Sequence, residues 1–318
     1  MAAPTILYIA GYGRSGSTVL DMLLEASPRI FGAGELTNFF QDWFRDQGMC
    51  ACGEKVHGGC AFWSEVLQQF HREIPDATYA RSRDVTKQME SITSLSPFYT
   101  GKRKADEQLY ARVWRTLCEI ISEVSHKPII VDSSKTSRGC TQRVRLLKNV
   151  CQLDVRVIHL VRDPRAVMWS RMRGNNRFLE RGIEKRPYGG ILRTLTGWTT
   201  ANLAAHITVA AMDRVPIARI RYEDLVADPE GTLVKLENEL DLELSSVVDA
   251  VARQATFNPG HGLAGNRVRR TGQLILRSDD EWKDALPEHA RYMALAVWPI
   301  ASAYGYNLLD TEHHQSSV

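Results

Sequence analysis

No stretch of about eighteen apolar residues occurs in the 318-residue chain, so nothing in it has the length to span a bilayer. No basic segment precedes the first apolar stretch, and Ile6 to Ala10 is too short for the core of a secretion signal. Charge of one sign is not in excess: 40 Lys and Arg against 37 Asp and Glu leave +3, too mild to point to nucleic acid. There is no internal repeat and no low-complexity tract. Cysteine is sparse, and without a secretion signal the six residues are expected as thiols rather than a disulfide framework. A cytoplasmic protein with no nucleic-acid partner is therefore expected, and its oligomeric state is not written in these patterns. With 44% hydrophobic residues the chain can bury a large core. Residues 1–310 are expected to form one domain, followed by a disordered polar tail over 311–318.

What is present is an alternation of short apolar strands with helical stretches, which predicts an α/β domain with a central parallel sheet of about five strands flanked by helices. Thr5–Ala10 starts it, and Arg29–Glu35, Pro128–Asp132 and Val155–Val161 follow. Pro216–Tyr222 alternates and is placed near a sheet edge. A helix is expected over Ala105–His126, with Leu109, Val113, Leu117, Ile120 and Ile121 on one stripe. Residues 73–104 and 174–190 have weak periodicity and are expected to be mobile, substrate-facing loops.

Between the first strand and the helix starting at Ser17 lies Gly11-Tyr-Gly-Arg-Ser-Gly-Ser-Thr18. A strand, a glycine-rich loop and a helix N-terminus together hold an anion, because backbone N–H groups converge there and the helix dipole favours negative charge. A nucleotide triphosphatase loop requires a lysine after its last glycine. Here Ser17 follows Gly16, and the loop's cation is Arg14. A second constellation, Arg162-Asp-Pro-Arg-Ala-Val-Met-Trp-Ser170, follows the fourth strand. Asp163 is suited to cap a helix that begins at Pro164, which leaves Arg162 at a strand end where open parallel sheets bind ligands.

Together these motifs resemble the sulfotransferases that use 3′-phosphoadenosine 5′-phosphosulfate (PAPS). The resemblance implies a P-loop-like sulfotransferase fold. It also implies that Gly13, Arg14, Ser15, Gly16, Ser17 and Thr18 bind the phosphosulfate, while Arg162 and Ser170 bind the 3′-phosphate. Tyr222, within Arg221-Tyr-Glu-Asp224, resembles the segment on the adenine side. The stretch His261–Arg270 resembles the late basic loop that closes over the cofactor, which would add Asn266, Arg267 and Arg269. Related bacterial members often carry proline where Arg267 stands.

Sulfuryl transfer asks a protein to stabilise the leaving phosphate, take a proton from the acceptor and hold both in line. Arg14 and the loop amides suit the first task. Glu35 is the candidate base, since tyrosylprotein and some bacterial carbohydrate sulfotransferases place a glutamate similarly. A helix-capping glutamate ahead of a helix over Thr37–Asp46 is the competing view. Cytosolic small-molecule members use a histidine after Lys-Thr at the third strand, where this chain has Ser137. Lys135 is placed to stabilise sulfuryl oxygens, and Asp132 either orients it, acts as an alternative base or is a buried residue capping the next helix.

The implied activity is transfer from PAPS to a hydroxyl of a small-molecule, carbohydrate, lipid or peptide acceptor. Alternatives are an ATP- or GTP-dependent phosphotransferase, with Asp132 as its metal carboxylate, and a non-catalytic nucleotide-binding module. No catalytic metal is expected. The Cys-rich loop over 48–63 nevertheless offers Cys50, Cys52, His57 and Cys60 as a structural zinc set, against a disulfide or buried thiols. His159 and His206 read as core histidines, and Phe39, Phe40, Trp43 and Phe44 as core aromatics.

Overall fold

Strand β1 (Thr5–Gly11) is buried on both faces, with Ile6, Tyr8 and Ala10 packed to one side and Leu7 and Ile9 to the other. It lies at the centre of a five-stranded sheet of order β2-β3-β1-β4-β5 in a computed structural model that describes residues 3–41, 47–91, 103–136, 142–173, 190–264, 274, 276 and 278–309. The other strands are β2 (Ile30–Gly34), β3 (Ile129–Asp132), β4 (Asp154–Val161) and β5 (Ile217–Arg221), and every pairing is parallel. β5 is at an edge, as its alternation predicts.

Because the strands are parallel, their carboxyl ends share one rim of the sheet. The chain leaving β1 runs toward β2, while the chain leaving β4 runs toward β5. β1 and β4 are thus neighbours whose connections part, the topological position at which such sheets bind ligands.

Helix α1 (Ser17–Leu24) follows β1, and Gly16 supplies its N-cap in the left-handed conformation. Helices α2 (Ala61–Glu73), α3 (Tyr79–Glu90) and α4 (Arg103–Ser125) pack on the face that holds Tyr8 and Ala10. Residues 73–104 are accordingly not one loop: α3 occupies their middle because Val85 and Met89 bury against α4. Helix α5 (Pro164–Met172) begins as expected, with Asp163 Oδ1 accepting the Arg165 N–H at 2.7 Å and Pro164 in its first turn. Helix α6 (Ile191–Ala210) crosses near β1 and β4.

Two further expectations change. His206 is exposed on α6, where its Nδ1 lies 3.0 Å from an Arg219 guanidinium nitrogen, because it points away from the buried Ala205 and Val209 stripe. Where a helix over Thr37–Asp46 is expected, the described residues form a 3₁₀ turn, Leu36–Asn38, with Phe39 and Phe40 buried behind it, and 42–46 lie outside the described residues. Trp43, Phe44 and most of loop 174–190 lie outside the described residues, as does the tail from residue 310. No helix among the described residues is long and apolar enough to cross a membrane.

Candidate active site

Each strand delivers a candidate residue at or just beyond its carboxyl end: Arg14 after β1, Glu35 after β2, Lys135 after β3, Arg162 after β4 and Tyr222 after β5. In the first loop, Gly16 has φ +94°, and a Cβ there would sit 2.2 Å from the Tyr222 ring. Glycine is therefore required both by the left-handed turn and by that close approach. A Cβ on Gly13 would instead meet nothing within 4 Å among the described residues. Ser17 and Thr18 are buried in the first turn of α1, and Gly16 rather than either hydroxyl is the cap.

The loop is tied to the β4 end. Arg14 donates from Nη2 to the Ser170 carbonyl at 3.1 Å, and Arg162 donates from Nη1 to the Arg14 carbonyl at 3.2 Å. The Arg162 guanidinium lies 4.4 Å from the Tyr222 ring centroid. Its Nη2 donates to Asp279 at 3.0 Å, a partner that no local motif announces. Ser15 Oγ and Arg162 Nε are buried without a hydrogen-bond partner among the described residues. Buried polar atoms left unmade cost about 1–3 kcal/mol each, and an anionic ligand's oxygens suit both.

Across β1 the second half of the site is an ion pair. Lys135 Nζ lies 2.6 Å from Glu35 Oε1 and also donates to the Ser133 carbonyl at 3.0 Å. Glu35 Oε2 accepts from Asn38 Nδ2 at 2.9 Å. Its side chain makes no cap, so the capping view is answered by the backbone carbonyl, which accepts the Asn38 N–H at 3.0 Å. Lys135 has φ +68° and Arg14 φ +76°, conformations costly for residues with side chains. The Lys135 turn is held by the Tyr8 hydroxyl, which donates to its carbonyl. Thr136 Oγ1 donates to the Ala201 carbonyl at 2.8 Å.

Asp132 is engaged by Arg143 and by the backbone of Ser134. It is fully buried, its Oδ2 accepting from Arg143 Nε at 2.7 Å and its Oδ1 from the backbone N–H of Ser134 at 3.0 Å. Arg143 also pairs with Glu90, whose Oε1 takes the Tyr110 hydroxyl at 2.9 Å and whose Oε2 takes the Thr37 hydroxyl at 3.1 Å. Burial pushes the Glu90 carboxyl up, opposed by the neighbouring guanidinium. Burial disfavours charge on Arg143, but Asp132 and Glu90 outweigh it and hold the proton on. This network reaches the segments carrying both Lys135 and Glu35, so it positions the ion pair from below. Asp132 is thereby occupied where a phosphotransferase would need it for a metal ion.

A sequence profile described as "Sulfotransferase family" matches residues 4–246. The chain belongs to the sulfotransferase family. Human "Carbohydrate sulfotransferase 6" is 26% identical to this sulfotransferase over 152 aligned positions, covering 42% of this chain and 37% of that protein. Mouse "Carbohydrate sulfotransferase 5" is 27% identical over the same length, again covering 42% and 37%. The chain thus spans less than two fifths of the length of these curated relatives. Among solved structures, the "Sulfotransferase Domain from the Curacin Biosynthetic Pathway" superimposes with a TM-score of 0.53 at 20% identity, covering 96% of this chain and 99% of that one. That likeness establishes the P-loop-like sulfotransferase fold.

The remaining expected site residues fall differently. Asn266, Arg267 and Arg269 lie outside the described residues of this sulfotransferase. Ser170 is brought to Arg14 through its carbonyl. In the Cys-rich loop the expected set changes: His57 packs its ring between Phe39 and Tyr79, at centroid distances of 6.2 and 5.7 Å. The imidazole beside the thiols is that of His261. Spacing alone favoured His57 because it is only three residues from Cys60, whereas His261 arrives from 201 residues away.

Proposed function

We propose that this sulfotransferase moves the sulfuryl group of PAPS to an acceptor hydroxyl by in-line displacement. The observation that carries the proposal is that Arg14 after β1 and Arg162 after β4 join at one rim with the Glu35–Lys135 pair from the ends of β2 and β3. Arg162 would hold the 3′-phosphate, with Asp279 now on its guanidinium as the protein's own stand-in for an anion. Arg14, Ser15 and the first amides of α1 would hold the 5′-phosphosulfate. Glu35 would accept the acceptor's proton, oriented by its contacts with Lys135 and Asn38. As the acceptor oxygen bonds to sulfur, the bond from sulfur to the phosphate oxygen breaks, and Arg14 with Lys135 would neutralise the charge that develops. The products are a sulfated acceptor and adenosine 3′,5′-bisphosphate.

The partial matches to proteins named carbohydrate sulfotransferases make carbohydrate hydroxyls the first acceptor class to try. The purified chain is incubated with PAPS and a panel of carbohydrate, phenolic, lipid and tyrosyl-peptide acceptors, and products are read by mass spectrometry. A sulfated acceptor, formed together with adenosine 3′,5′-bisphosphate, is expected. Nucleotide binding with no transfer across the panel would favour a non-catalytic module instead.

A further inference from the structure

We propose that Cys50, Cys52, Cys60 and His261 hold a structural zinc ion. The three Sγ atoms and one imidazole nitrogen all lie within 4.8 Å of one another. His261 Nδ1 is 3.3 Å from Cys60 Sγ and 3.6 Å from Cys50 Sγ. A tetrahedral ion with Zn–S of about 2.3 Å and Zn–N of about 2.0–2.1 Å requires S···N edges of about 3.6 Å and S···S edges of about 3.8 Å. Small side-chain rotations of roughly an ångström bring the four atoms to those edges. Three thiols and an imidazole are soft donors, which select zinc over magnesium or calcium. Metal binding displaces the three thiol protons, leaving thiolates as ligands.

The surroundings have the build of a ligand shell. The His261 ring stacks on Phe62 at 5.2 Å between centroids, and the Trp63 indole N–H donates to the His261 carbonyl at 2.7 Å. The loop is closed by backbone hydrogen bonds from Cys50 N–H to Glu54 at 2.8 Å and from Cys60 N–H to Lys55 at 2.7 Å. Apart from short bridges and turns, the segment between residues 49 and 60 has no helix or strand of its own to fix it.

What the metal fastens is the wall behind Glu35. Leu263, two residues past His261, donates its N–H to the Ala33 carbonyl at 2.8 Å and accepts the Glu35 N–H at 2.9 Å. The Ala51 N–H donates to the Gly262 carbonyl at 3.1 Å. At Gly34, φ is +78° and a Cβ would fall 2.2 Å from the Leu263 carbonyl oxygen, so the two backbones meet without room for a side chain. Zinc would thus pin the Cys-rich loop to the 261–263 segment, and that segment to the end of β2.

The test uses the full chain purified without chelator, then reconstituted with zinc and desalted. Elemental analysis is expected to find about one zinc per chain. Cobalt substituted for zinc is expected to give thiolate-to-metal charge-transfer bands and the visible bands of a tetrahedral site. Cys52→Ser, at the surface ligand, and His261→Ala are expected to weaken zinc retention by about 100-fold or more, since even outer-shell changes cost about 10–100-fold. His57→Ala is expected to retain the ion. The proposal is overturned if the reconstituted wild-type chain holds no zinc and gives no cobalt spectrum, or if peptide mapping finds a disulfide between two of Cys50, Cys52 and Cys60. Retention by His261→Ala with loss by His57→Ala overturns the ligand set. Should a variant fail to fold, the wild-type cobalt spectrum still decides. None of these outcomes depends on the donor or acceptor of the reaction.

Discussion

Lys135 Nζ and Glu35 Oε1, contributed by the ends of adjacent strands β3 and β2, lie 2.6 Å apart in a partly buried ion pair. In the proposed reaction this contact would orient Glu35 as base and set Lys135 beside the charge that develops. Glu35→Gln is expected to lower kcat by about 10²–10⁴-fold, the usual contribution of general-base catalysis. Affinity for adenosine 3′,5′-bisphosphate should stay within about twofold, because Glu35 is not expected to touch the nucleotide. Lys135→Met should also lower kcat, and the double variant should be little worse than the worse single one, as for residues acting as a unit. Steady-state kinetics with calorimetry checks all three variants. Full turnover by Glu35→Gln would remove it from the role of base.

Asp279 accepts from the Arg162 guanidinium at 3.0 Å, on the group proposed to hold the 3′-phosphate. Asp279→Asn is therefore expected to tighten adenosine 3′,5′-bisphosphate binding, by about tenfold if one charged hydrogen bond of about 1.5 kcal/mol is released. Weaker binding would mean that Asp279 aligns Arg162 for the ligand rather than competing with it. Titration calorimetry distinguishes the two signs.

The network under the ion pair is a stability element. Arg143→Met would leave Asp132 and Glu90 buried without their cation, and breaking such a pair typically costs about 3–5 kcal/mol. Urea unfolding should show this loss as a lower midpoint. Unchanged stability would show that the network matters only for placing Lys135 and Thr37.

His159 lies inside β4 with its Nε2 3.1 Å from Asn202 Oδ1, and burial lowers its pKa to about 4. The folded state therefore prefers the neutral ring. Its contribution is fully present above the unfolded value near 6.5 and is lost as pH falls toward 4. Over that window the loss approaches about 3 kcal/mol. His159→Gln should flatten this part of the stability curve relative to wild type in unfolding titrations at pH 7, 5.5 and 4.5. Parallel curves would show that His159 does not titrate on unfolding there.

Much of the fold was legible because its signals are local. Strand and helix patterns, the Asp163–Pro164 helix start and the glycine turn each act within a few residues. The strand ends could be read too, and in a parallel sheet they necessarily share one rim. What escaped is what long-range packing creates. Asp279 reaches Arg162 across 117 residues, and Arg143 reaches Glu90 across 53 and Asp132 across 11. His261 is the instructive case, since a nearer histidine had the better spacing and the folded chain brought a distant one to the thiols. Asp132 was ambiguous for the same reason: whether a strand-end carboxylate is available for chemistry depends on a distant cation.

The nucleotide itself gives the most direct measurement. Calorimetric titration with adenosine 3′,5′-bisphosphate and, separately, with ATP and magnesium asks whether the arginine at the end of β4 and the loop after β1 form one donor site. The bisphosphate is expected to bind, and Arg162→Gln to weaken it by at least about tenfold, the cost of one charged phosphate contact. Binding of ATP with magnesium, together with no detectable affinity for the bisphosphate, would contradict the assignment of this site to PAPS.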